Sequence, residues 1–94
     1  MPAAEARQSE QRQTQLRLDY DQYRRSEAQR LFDRLPSGEQ AAIEALARAK
    51  LSDRGPVSDF MVPTLLRVEK LRLTIERHPG GVAKFDQWSA SRAA

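Results

Sequence analysis

Chemistry at a protein site needs side chains that change protonation state, attack, or hold a metal, and this sequence offers few of them. His78 is its single histidine and it has no cysteine, so a transition-metal centre, which gathers several His, Cys or carboxylate ligands, is not expected. The lack of cysteine also excludes a thiol nucleophile, a disulfide scaffold and an iron–sulfur site, and makes an intracellular compartment the expectation. His78 falls in the last turn of a predicted helix, where it can help satisfy terminal carbonyls. Gly80-Gly81 reads as a turn, and there is no phosphate-binding loop, nucleophile elbow or oxyanion signature. Asp19 and Asp21 point about 200° apart on a helix at ~100° per residue, so they are surface charges and not an acid–base pair. A chain of 94 residues with so few large apolar groups has little room to enclose a pocket of ~300 Å³ or more. A binding module without cofactor or metal is predicted, not an enzyme.

Two residue sets can carry binding. Residues 48–94 hold 9 Lys and Arg against 5 acids, whereas residues 1–47 hold 7 Arg against 8 acids, which places the basic excess in the second half. Arg48, Lys50, Arg67, Lys70 and Arg72, with Arg54 and Arg77 nearby, lie along the predicted second and third helices, where they can contact phosphates. Glu44, Glu69 and Glu76 stand in pairing register with several of them, Arg72 with Glu76 for one, which favours a solvated mixed-charge face. The aromatic residues Tyr20, Tyr23, Phe32, Phe60, Phe85 and Trp88 form the other set. They are many for a thin core, and aromatics with Met and Arg are what protein interfaces enrich. Phe32, Phe60 and Phe85 are expected in the core, while Tyr20 and Tyr23 sit where the first helix should overhang it.

The elements that must position these residues read as helices. Residues 3–35 contain no glycine or proline and are rich in Ala, Glu, Gln, Arg and Leu, all good helix formers. Leu16, Tyr20, Tyr23, Ala28, Leu31, Phe32 and Leu35 form one apolar stripe. A helix from Ala3 to Arg34 would be about 48 Å long at ~1.5 Å per residue, so its first turns must protrude or fray. Pro36 breaks it, and Ser37 with Gln40 has the spacing of a capping box that opens a second helix. Ile43, Leu46, Ala47 and Lys50 share a face of that helix, which should end near Leu51 before Ser52-Asp53-Arg54-Gly55-Pro56. Thr64 to His78 runs without a breaker and is too long for an ordinary strand, with no second strand to pair with it. It is predicted as a helix, with Pro63 either in its first turn after a cap by Ser58 or Asp59 or in a short 3₁₀ lead-in, and with Leu65, Val68, Leu71 and Ile75 at the centre of the core. After the turn at His78-Pro79-Gly80-Gly81, Val82, Phe85 and Trp88 recur every three residues in a short last helix.

The run Tyr20-Asp-Gln-Tyr23-Arg-Arg, then Leu31-Phe32, Leu35-Pro36-Ser37-Gly38-Glu39-Gln40-Ala41-Ala42, and Phe85-Asp86-Gln87-Trp88 resembles the C-terminal helical segment of plasmid and phage replication initiator proteins of proteobacteria. The resemblance covers about residues 20–90 and is one of layout: a Tyr- and Arg-containing helix, a Leu-Pro-x-x-Glu break, an Ala-rich helix and a Phe-x-x-Trp close. In such initiators winged-helix domains recognise the origin, and the C-terminal part is of the kind implicated in engaging the host replicative helicase. The resemblance therefore implies a helicase-docking module. This chain has no strands for a winged helix, so it would be one domain of a longer initiator or a free-standing adaptor.

The expectation is an all-α fold: a small bundle of three main helices plus a short C-terminal helix, with residues 1–15 a polar arm or linker, 16–90 the helical domain and 91–94 a frayed tail. It is expected to be soluble and cytoplasmic, with no membrane span and no signal-peptide core. Tyr20, Tyr23, Arg24, Phe85 and Trp88 are the expected partner contacts. A basic nucleic-acid-binding protein and a homodimer through the first helix are the alternatives.

Overall fold

The structure is a computed structural model that describes residues 2–93, and side chains from 6 to 92. Among the described residues it is all-α: α1 (Pro2–Arg34), α2 (Ser37–Asp53), α3 (Val62–Arg77), a 3₁₀ turn (Pro79–Gly81) and a short α4 (Phe85–Ala93). No helix among them is long and apolar enough to cross a membrane.

α1 extends as one helix beyond the rest of the bundle. Its 33 residues make a rod of about 50 Å at ~1.5 Å per residue, close to the 54 Å longest dimension of the molecule. Residues 6–15 are exposed all round, as expected of a stretch with nothing larger than Ala to bury. Side-chain hydrogen bonds one turn apart brace the rod: Gln15 donates to Asp19 at 2.9 Å, Gln29 to Asp33 at 2.8 Å, and Arg30 pairs with Glu27 at 3.0 Å. At the far end α4 continues to Ala93, so residues 91–93 are helical where fraying was expected. Met1 and Ala94, the ends of the predicted arm and tail, lie outside the described residues.

The break at Pro36 is where it was expected, but its chemistry differs. Pro36 itself is the N-cap of α2, in extended conformation, and no side chain caps the helix. Its carbonyl accepts the amides of Glu39 and Gln40, and the Gln40 side chain reaches back to donate to the carbonyl of Phe32 at 2.7 Å. That bond, and not a Ser37 capping box, sets the α1–α2 corner. His78, the C-cap of α3, closes the same end of the bundle: its Nε2 is buried 2.7 Å from the Glu39 carboxylate, without the alignment of a hydrogen bond.

α2 packs on α3, and α3 on α1. Phe32, Ile43, Ala47 and Leu73 form the centre, with Leu35 and Leu66 against them. The core face of α3 is therefore not the expected one. Val68 is 51% exposed, Leu65 and Ile75 are half-buried, and only Leu71 of the four expected residues is buried; Glu69, Leu73 and Thr74 are buried instead. α3 is apolar nearly all round, and the side turned to α2 contains Glu69, a buried carboxylate that Arg54 and Arg72 pair with. Thr74 fits there because its hydroxyl donates to the Lys70 carbonyl at 2.7 Å. Phe60, expected in the core, is 86% exposed: it lies in the connection before α3 begins and cannot share that helix's buried face. Capping of α3 by Ser58 or Asp59 is likewise absent, since Met61 is the N-cap and no side chain bonds it. On α2, Leu46 faces water while Ile43, Ala47 and Leu51 are buried.

Two glycines stand where a side chain would be strained or crowded. Gly55 follows α2 with φ of 94°, a conformation that side chains with a Cβ rarely adopt. Gly81 brings the 3₁₀ turn so close to α1 that a Cβ would meet the Leu31 side chain at 2.7 Å.

Candidate functional site

α4 is held to α1 by aromatic rings. From α1 come Tyr20 and Tyr23, one turn apart; from α4 come Phe85 and Trp88, also one turn apart. Tyr20 meets Phe85 edge-on at 5.1 Å between centroids and Trp88 at 5.3 Å, and Tyr23 meets Trp88 at 5.9 Å. The Tyr20 hydroxyl donates to the Ala83 carbonyl at 2.9 Å, which satisfies the polar tip of an otherwise buried ring. Guanidinium groups cover the outside: Arg17 lies 4.3 Å from the centre of the Phe85 ring, Arg92 4.9 Å from Trp88 and Arg24 5.5 Å from Tyr20. Such cation–π contacts are worth about 0.5–1 kcal/mol each at exposed sites.

The fold thus brings Tyr20, Tyr23, Arg24, Phe85 and Trp88 together, though they do not all face outwards. Tyr20 and Trp88 are 7% exposed, buried by each other and by their neighbours. Tyr20 does not overhang the domain, because α4 covers it. Tyr23, Arg24 and Phe85 are half-buried and keep one surface towards solvent.

The basic set is dispersed. Arg48 pairs with Glu44 at 3.0 Å on the outer face of α2. The Lys70 ammonium lies 4.7 Å from the centre of the Phe32 ring. Arg72 pairs with Glu69 at 2.7 Å and also with Glu76. Glu69, which is 1% exposed, takes a further ion pair from Arg54 in the α2–α3 connection. The hydrogen bonds from Arg72 hold its carboxyl below the usual carboxylate range, against the opposing effect of burial, and the charges of Arg54 and Lys50 add to this. Three of the five candidate phosphate contacts, Arg48, Lys70 and Arg72, are therefore engaged within the fold, while Lys50 and Arg67 are exposed.

A second feature was missed at the level of sequence. Next to the aromatic seam, a groove of about 680 Å³ runs between α1 and α3. Arg25 and Arg30 line it from α1 and Arg67 from α3, with Val68 and Leu71 forming its floor. The signal was present as two facing stripes: residues 22, 25, 26, 29 and 30 on α1, and 64, 67, 68 and 71 on α3, both at helical spacing. Polar residues fill the α1 stripe and half of the α3 stripe, so they read as solvated surface.

Among the described residues no three of His, Cys, Asp and Glu gather in a way that could hold a metal ion. Compared with known proteins, the chain matches no protein-family model, no curated protein and no solved structure. The local geometry is what bears on function.

Proposed function

We propose that this chain is a protein-docking module and not an enzyme, acting in the cytoplasm to recruit a replicative helicase during initiation of plasmid or phage DNA replication. The observation that carries the docking role is the outer face of the α1–α4 seam. There Tyr23, Arg24 and Phe85 lie half-exposed on a base that Tyr20 and Trp88 make rigid. Aromatic and arginine side chains held in fixed rotamers lose little entropy on binding, and they dominate interface energetics. The helicase as partner rests on the resemblance of the Tyr-x-x-Tyr-Arg-Arg, Leu-Pro-x-x-Glu and Phe-x-x-Trp elements to initiator C-terminal segments.

The roles within the seam divide. Tyr23 and Arg24 would touch the partner, and Tyr20 and Trp88 would position them. Titration of replicative helicase with the protein, at low and moderate salt, tests this. Tyr23→Ala and Arg24→Ala should each weaken binding about tenfold, equivalent to ~1.4 kcal/mol, while leaving the helical circular dichroism unchanged; Arg24→Ala should also keep the unfolding temperature, which separates lost contact from the ring packing that Tyr23→Ala removes. Helicase binding indifferent to both substitutions would refute the assignment, and binding to a DNA duplex that collapses with salt would put the function on a basic surface instead.

A further inference from the structure

We infer that the groove between α1 and α3 binds an acidic, amphipathic helical segment of a partner protein. It rests on the proposed function only in taking the partner to be a protein, and it does not require the helicase. Val68 is a β-branched apolar side chain left 51% exposed on a groove floor, with Leu71 beside it and arginines on both walls. Among the described residues no carboxylate lines the groove. Arg30 is held from the flank by Glu27, whereas Arg25 and Arg67 have no ion-pair partner among the described residues.

An apolar floor between cationic walls asks for a ligand with the reverse pattern. Leucine-like side chains on one face of a helix would cover Val68. Asp or Glu beside them would accept the paired N–H groups of Arg25 and Arg67, a geometry guanidinium groups favour. A nucleic acid fits less well: no aromatic ring lines the groove for bases to stack on, and a cleft between helices does not project into a duplex groove as a recognition helix does.

The test is fluorescence anisotropy with a labelled synthetic peptide of about four helical turns, Leu on one face and Asp and Glu on the rest. Three further probes accompany it: the same peptide with Leu replaced by Ser, the same peptide with its acids replaced by Asn and Gln, and a single-stranded oligonucleotide of similar length. Saturable binding of the parent peptide is expected, with both altered peptides about tenfold weaker or worse. Arg25→Ala combined with Arg67→Ala, and separately Val68→Ser, should each cost about tenfold in affinity. Unfolding temperature should stay unchanged in these variants, because all three side chains are exposed. Equal binding of the Leu-free peptide, tighter binding of the oligonucleotide, or no saturable binding of the parent would overturn the inference. Peptide binding by a protein that ignores helicase would uphold the groove and refute the helicase as partner; helicase binding by a protein that ignores every peptide would do the reverse.

Discussion

α3 carries arginine on two sides, and the two sides behave differently. Towards α2, Arg72 together with Arg54 closes on Glu69, a carboxylate that the helix itself supplies and buries. Towards α1, Arg67 faces Arg25 and Arg30 across a groove to which the described residues contribute no acid. The same residue type thus makes a finished structural joint in one place and an unsatisfied surface in the other. What decides is whether the counter-ion is encoded in the fold. A buried ion pair that lacks a partner is costly, so the closed corner has to be complete, while exposed arginines stay hydrated and can wait for a ligand.

The largest way to break this comparison is to disturb the rings that hold α4 on α1, since the groove depends on α1 being straight and fixed. Tyr20→Ala should cost about 3 kcal/mol in global stability, the usual scale for truncating a buried aromatic. Trp88 is the only tryptophan, so its emission should shift to the red in that variant as the seam opens to water. Next comes the closed corner itself. Glu69→Ala should cost about 2 kcal/mol by urea unfolding. That is less than the ~3–5 kcal/mol for breaking a fully buried pair, because the Arg54 and Arg72 side chains are 51% and 43% exposed and can rehydrate.

A milder probe uses acid. With its folded pKa lowered below that of the unfolded chain, Glu69 contributes stability that is fully present above the ordinary carboxylate pKa of ~4.3 and is lost as pH falls through the folded value. On acidification from about pH 6 to about pH 3, a range that brackets the ordinary carboxylate pKa, the protein should lose more stability than the Glu69→Gln variant does. Parallel losses in the two would remove Glu69 from the acid response. The smallest effect sharpens the comparison from the other side. Arg67→Glu gives the open groove its own acid opposite Arg25, and an exposed pair of that kind is worth about 0.2–1 kcal/mol. A rise of a few degrees in unfolding temperature is expected, on the scale of ~4–8 °C per kcal/mol for a domain of this size, together with loss of acidic-peptide binding.

The helical architecture was legible because breakers and periodicity agree: Pro36, Gly55-Pro56 and His78-Pro79-Gly80-Gly81 separate stretches of strong helix formers. The orientation of α3 was not. A stripe of apolar residues locates a buried face when the opposite face is polar, but α3 has Leu or Val on nearly every side, and choosing Leu65, Val68, Leu71 and Ile75 assumed that Glu69 must face water. The partners that allow Glu69 inside include Arg54, 15 residues away in sequence, a pairing that local spacing does not reveal. The aromatic seam was half legible. The Tyr20, Tyr23, Phe85 and Trp88 spacings identify two ring pairs, but only the fold shows that the pairs meet and that Tyr20 and Trp88 are used up in doing so.

α1 also divides along its own length, with a consequence for how the molecule opens. From Ala28 to Phe32 the helix is locked into the bundle, and its amides there can exchange hydrogen only when the whole domain unfolds. From residue 6 to 15 the same helix has no tertiary contact to hold it, and isolated helical turns are marginal in water. Amide exchange should therefore slow continuously along one unbroken rod, from a rate set by local helix–coil fluctuation at one end to a rate set by global unfolding at the other.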